Sequence, residues 1–102
     1  MAYPPLVPIE WDEAKNLANQ RKHELSFEEA QQLFDAGNDY MEIFDRDHSD
    51  FEDRFIAIGP IDRGLILVVY TELEDDITRI ISARSATKRE HALYRAHMEQ
   101  IS

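Results

Sequence analysis

The run LILVVYT, Leu65 to Thr71, is the tightest constraint on what this chain can fold into. It is short, rich in β-branched and aromatic residues, and bounded by Gly64 and the acidic stretch Glu72–Asp76, which is the pattern of a strand. Its nearly continuous apolarity predicts a strand buried on both faces and so central in a sheet. A chain of 102 residues has room for one domain around such a strand, and an apolar content of 43% supplies its core. No apolar run approaches the roughly 20 residues that cross a bilayer. The N-terminal MAYPPLVPIEWDE has neither a basic flank nor a long apolar run, so no signal peptide is expected and the chain reads as cytoplasmic. The absence of cysteine excludes a disulfide framework, a thiolate metal site and a Cys nucleophile.

Helix signals flank the strand. After a Pro-containing lead-in over residues 1–6, Val7 to Trp11 reads as a brief strand. Asp12 is an N-cap, and Arg21, Lys22 and His23 complement the dipole at the far end of a helix over 12–22. Ala14, Leu17, Ala18 and Arg21 share one face of it. Ser26 with Glu29 forms a capping box, and Phe27, Ala30, Leu33 and Phe34 recur at helical spacing up to a stop at Gly37. Asp39–Asp45 reads as a strand, RDHSDFED as a polar loop, Arg54–Gly59 as a strand and Pro60–Gly64 as a turn. Ile77–Arg84 alternates as a further strand. Thr87 with Glu90 caps a last helix running to about Glu99. The expected fold is α+β, one domain over residues 1–102: two N-terminal helices, an antiparallel meander of three or four strands, and a C-terminal helix.

Charge narrows the function. Acidic residues outnumber basic ones 21 to 11, a net −10, which excludes diffuse affinity for nucleic acid and suits a basic partner. The deficit lies in residues 1–50, with four basic and twelve acidic side chains. Ile77–Arg95 reverses it, with Arg79, Arg84, Lys88, Arg89 and Arg95 against Glu90 alone. That stretch is either a solvated face or a local anion-binding patch.

Motifs for nucleotide loops, zinc proteases and serine hydrolases are absent from the sequence. Asp45, Asp47, His48, Asp50, Glu52 and Asp53 form an oxygen-rich loop, but it lacks the glycine and terminal glutamate of a calcium loop, and no metal is expected there. The more telling set is Arg54, Arg79 and Arg84, with Tyr70 and the start of the last helix. Arg79 and Arg84 point to opposite faces by parity unless a bulge intervenes. A meander can bring two or three such guanidiniums onto one surface, where they would grip a phosphodiester and stabilise charge developing on it. A nearby His, Glu or Lys could then act on a 2′-hydroxyl or a leaving oxygen without a metal. Arginines that merely pair with the many carboxylates give the same spacing.

Taken together, IEWDEAKNLANQRKH, LSFEEAQQLF, DRDHSDFEDRFIAIG, LILVVYT and RIISARSATKRE resemble the BrnT family of type II toxins, from about Ile9 to Tyr94. The resemblance implies a RelE-like fold and a metal-independent endoribonuclease with no cofactor. It also implies neutralisation by a DNA-binding antitoxin, typically of the ribbon-helix-helix (BrnA-like) type, so that DNA is met only through that partner. Carried onto this sequence, the family's motifs point to His23, His48, Glu52, Arg54, Arg79 and Arg84 as catalytic. Lys22 and Tyr70, with Lys88 and Arg89 of the basic stretch, are the expected substrate-binding residues. Glu24 follows the KH pair where the family usually has glycine, and Leu73 stands where an arginine is common. The alternative is a catalytically weakened homologue that serves as a protein-binding module.

Overall fold

The computed structural model describes residues 8–35, 37–48 and 51–101. The lead-in over 1–6, Val7 of the expected first strand, and Ser49 and Asp50 of the polar loop lie outside the described residues. The elements in chain order are β1 (Ile9–Trp11), α1 (Glu13–His23), α2 (Phe27–Ala30), β2 (Met41–Phe44), β3 (Arg54–Ile61), β4 (Gly64–Glu72), β5 (Thr78–Ser85) and α3 (Lys88–Ile101). They build an α+β domain around a five-stranded sheet ordered β1-β5-β4-β3-β2. Strands β2 to β5 form the expected antiparallel meander. The sheet is nevertheless wider than the three or four strands expected. β1 adds a fifth at the edge and runs parallel to β5. Three residues are too few for a periodicity to declare that pairing.

β4 is the middle strand, as its composition requires. Ile66, Val68 and Tyr70 enter one core with Ala57, Ile80 and Ala83 of the neighbouring strands and Leu25, Phe27, Ala30, Leu33 and Phe34 of the N-terminal helical segment. On the other face Leu67 and Thr71 are buried as well. The opposite side of the sheet meets α3, which runs against β3.

The caps form where the sequence places them. Asp12 accepts from the Ala14 N–H, and Ser26 and Glu29 make both bonds of a capping box. Thr87 and Glu90 do the same for α3. The second helix is shorter than its spacing suggests. It becomes a 3-10 turn at Gln31–Phe34, and the Asn38 amide closes it by donating to the carbonyls of Gln32 and Leu33.

α1 is turned over relative to its apparent apolar face. Ala14, Leu17, Ala18 and Arg21 face solvent, while Asn16 and Asn19 are buried. The reason lies in β5. β1 pairs with it only over Thr78–Ile80, so the backbone beyond has no strand on that side. Asn19 fills the gap: its amide donates to the Ala83 carbonyl at 2.8 Å and accepts from the Ala83 N–H at 3.1 Å. The same amide donates to Leu25 O at 2.8 Å. A side-chain amide thus imitates a strand where the strand stops. Asn16 likewise receives the Phe27 N–H at 2.8 Å.

β5 contains the other decisive irregularity. Val69 lies opposite Ser82 and Tyr70 opposite Ile80, so Ile81 is an extra, bulged residue. Ile80 and Ala83 both reach the core because of it. Arg79 lies opposite Thr71 and Arg84 opposite Leu67. Thr71 and Leu67 are four apart on one strand and share a face, so the bulge puts both arginines on that face.

Two stability changes follow. Asn19→Ala leaves three buried backbone groups unpaired and is expected to cost roughly 2–4 kcal/mol, read as a lower melting temperature by circular dichroism. Glu24 ends α1 in the left-handed region, at φ 56°. Glu24→Gly removes that strain and is expected to stabilise by about 1 kcal/mol, or about 4–8 °C. A melting temperature unchanged in either variant would contradict the corresponding account.

Candidate active site

Between β2 and β3 the chain forms a loop that carries most of the candidate chemistry. The Asp45 N–H donates to the Arg54 carbonyl at 2.8 Å and closes its base. Residues Arg46–His48 make a single 3-10 turn. The Thr71 hydroxyl donates to the Asp53 carbonyl at 2.6 Å and fastens the end of the loop to the central strand. The loop and the start of β3 enclose an open cavity of about 260 Å³ lined by Asp47, His48, Phe51, Glu52 and Arg54. Three expected catalytic residues, His48, Glu52 and Arg54, therefore share one cavity.

Their mutual geometry is suited to proton transfer beside an anion. The His48 Nδ1 lies 2.9 Å from Asp45 Oδ2 and 3.1 Å from Oδ1. That contact occupies Nδ1 and leaves Nε2 as the nitrogen for chemistry. Arg54 Nε stands 3.6 Å from Glu52 Oε1. Arg79 belongs to the same row, since Arg54 and Arg79 both lie opposite Thr71 from its two sides. Two strand spacings put the two arginines about 10 Å apart along the sheet. Arg79 is held loosely, with Nη1 3.8 Å from Glu10 Oε1 and both side chains well exposed.

Other candidates are placed elsewhere. Arg84 shares the face but sits about 13 Å along it, level with Leu67. There it makes a two-pronged pair with Glu90, at 2.7 and 2.8 Å. Hydrogen bonding from Arg84 draws the Glu90 carboxyl down to about 2, and Glu90 in turn raises the guanidinium. Arg84 is thereby committed to fastening the first turn of α3. Lys88 and Arg89 stand exposed on that same turn. Lys22 and His23 are at the other end of the molecule. The adjoining Glu24 carbonyl accepts from Arg63, in the turn between β3 and β4. That turn is the full eight-residue length of β3 from Arg54, or about 23 Å. Tyr70 points into the opposite face. It is 2% exposed, stacks on Phe55, and donates its hydroxyl to Glu42. Burial pushes its phenol far above the ordinary range.

Phe51 is the cavity residue that reasoning from motifs passed over. Its signal was present: it is the one aromatic residue in the polar run RDHSDFED. Among the described residues no three His, Asp or Glu side chains converge as a metal-holding group. Asp50 of the oxygen-rich loop lies outside the described residues. No described helix is long and apolar enough to cross a membrane.

The model of the ribonuclease toxin BrnT of type II toxin–antitoxin systems matches residues 11–90. The chain belongs to the BrnT family. It is also similar in structure to the ribonuclease toxin BrnT of Brucella abortus, with a TM-score of 0.58 and 25% identity, over 80% of this chain and 99% of that one. Curated proteins give no match to the sequence. The matched span takes in β2 to β5 and the last residue of β1, the loop with His48, Glu52 and Arg54, and Glu90. Most of α3 lies beyond it, so in this BrnT-family chain the Arg84–Glu90 pair joins the family domain to a C-terminal helix.

That pair makes stability depend on acid. Glu90 has its pKa lowered from 4.5 to about 2 on folding. Its contribution is full above pH 4.5 and is lost as pH falls through about 2. Glu90→Gln retains a capping side chain and removes the charge pair. It is expected to lower the melting temperature at pH 7 and to flatten its fall between pH 4.5 and 2. An unchanged acid limb would contradict the assignment.

Proposed function

We propose that this BrnT-family chain is an endoribonuclease that cleaves RNA without a metal cofactor, at the cavity between β2 and β3. The observation that carries the reading is the convergence of His48, oriented by Asp45, with Glu52 and Arg54 in one cavity. Glu52 takes the proton from a ribose 2′-hydroxyl, and the 2′-oxygen attacks the adjoining phosphorus. His48 gives a proton from Nε2 to the departing 5′-oxygen as the P–O5′ bond breaks. The products are a 2′,3′-cyclic phosphate and a 5′-hydroxyl, and the protons balance. Arg54 and Arg79 stabilise the charge that builds on the phosphate oxygens in between. Arg79 stands in a weak, exposed carboxylate pair that a phosphodiester can replace, and Arg54 is partly buried at the cavity with its Nε shielded from water.

A toxin–antitoxin family brings an antitoxin partner and an RNA substrate. For this chain the partner is a basic, DNA-binding antitoxin of ribbon-helix-helix type, and cleavage of messenger RNA stops translation. The net charge of −10 supports a basic partner.

The purified protein is expected to cleave RNA in excess EDTA and to leave cyclic phosphate ends. His48→Ala is expected to slow cleavage about 10²–10⁴-fold, and Arg54→Ala about 10²–10³-fold, with circular dichroism unchanged. Cleavage that stops in EDTA and returns with magnesium contradicts the proposal. So does full activity in a folded His48→Ala variant.

A further inference from the structure

Phe51 is 101% exposed, the most exposed of the described large apolar residues, yet it lines the same cavity as His48, Glu52 and Arg54. Among the described residues its ring takes part in no aromatic pair. A phenyl ring left in water at the wall of a polar cavity loses the burial that would ordinarily hold it. It also offers a flat apolar face within three residues of Arg54 and His48.

We propose that Phe51 is the stacking platform for one unpaired base of the RNA, so that the site takes single-stranded rather than duplex substrate. The inference rests on the ribonuclease reading for the location of the scissile phosphate. Two observations support it. The first is charge. A protein at −10 gathers RNA poorly by tracking its backbone, and among the described residues few cations, Arg46 of the loop and Arg54 and Arg79 of the sheet row, stand near the cavity. Affinity must then come from a contact that does not depend on net charge, and base–aromatic stacking is such a contact. The second is shape. In an A-form duplex both faces of each base are covered by its neighbours, so a ring can be used only by a base that is splayed out. A stacked base would set its own phosphate toward Arg54 and His48, which positions the reacting bond. Phe51 is thus a positioning residue that sets substrate class.

The test uses a mixed-sequence 2′-O-methyl RNA hexamer, which lacks the attacking hydroxyl and stays intact, with binding read by fluorescence anisotropy. The wild-type chain is expected to bind it with a shallow salt dependence, a slope of log K on log salt of about −1.4 for two phosphate contacts. Phe51→Ala is expected to weaken binding about tenfold or more. Phe51→Tyr, which keeps the ring, is expected to bind as the wild type does. A hairpin duplex of the same chemistry is expected to compete poorly. The inference is overturned if Phe51→Ala binds like the wild type, if the duplex competes as well as the hexamer, or if the wild type does not bind the hexamer. The two readings fail separately. Ring-dependent hexamer binding by a chain that leaves natural RNA intact removes the cleavage reading and keeps the stack. Cleavage of natural RNA at full rate by Phe51→Ala does the reverse.

Discussion

The bulge at Ile81 sets the layout of this molecule. One extra residue in β5 lets Ile80 and Ala83 both enter the core, although they are three apart and would otherwise face opposite ways. It brings Arg84 onto the face that already holds Arg54 and Arg79. Just past it, the Ala83 peptide groups turn to an edge with no partner strand, and Asn19 of α1 takes them. The helix is therefore held by an amide that reads the backbone of the bulged strand, rather than by an apolar stripe. Helix orientation and the placement of Arg84 both trace to the same local insertion.

Charge pairing then sorts the arginines. Each of the three on that face meets a carboxylate, but the geometry differs. Glu90 grips Arg84 with two short bonds and a strongly lowered pKa, which is how a structural pair behaves. Glu10 approaches Arg79 only to 3.8 Å, between two exposed side chains, whereas Arg54, with Nε 3.6 Å from Glu52, is partly buried and that Nε is shielded from water. An exposed contact such as Arg79–Glu10 contributes little and yields to a better anion. An acidic chain can in this way carry a cation that is open to an anion without presenting a basic surface, and Arg54 and Arg79 stand in one row of the sheet.

Much of the fold was legible in the sequence. The central strand followed from LILVVYT, and the helix starts followed from Asp12, Ser26/Glu29 and Thr87/Glu90, because capping is a local interaction written in adjacent residues. β1 was less legible, since its pairing with β5 joins residues about seventy positions apart through only three. The face of α1 was misleading because propensity and apolar spacing say nothing about a buried amide that serves another strand's backbone. At the site, the motif HSxxExRF contained His48, Glu52 and Arg54 close together in sequence, and the loop keeps them close in space. Lys22 and His23 were drawn in by resemblance, but the fold sets them at the far end of the sheet. Tyr70 was drawn in by the motif VVYT, whose parity turns it into the core. The bulge that decides Arg84 depends on long-range register, which periodicity in a single strand cannot reveal.

The central proposal is that RNA is handled at the cavity between β2 and β3, where His48 and Arg54 line one pocket and Arg79 stands in the same row as Arg54. The most direct test is a nitrogen-15 NMR titration of the protein with an uncleavable RNA oligonucleotide, following the side-chain signals of histidine and arginine. The account predicts that His48, Arg54 and Arg79 shift together and saturably, while His23 and Arg63 stay in place. Shifts confined to His23 and Arg63, with His48 and Arg54 unmoved, would contradict it.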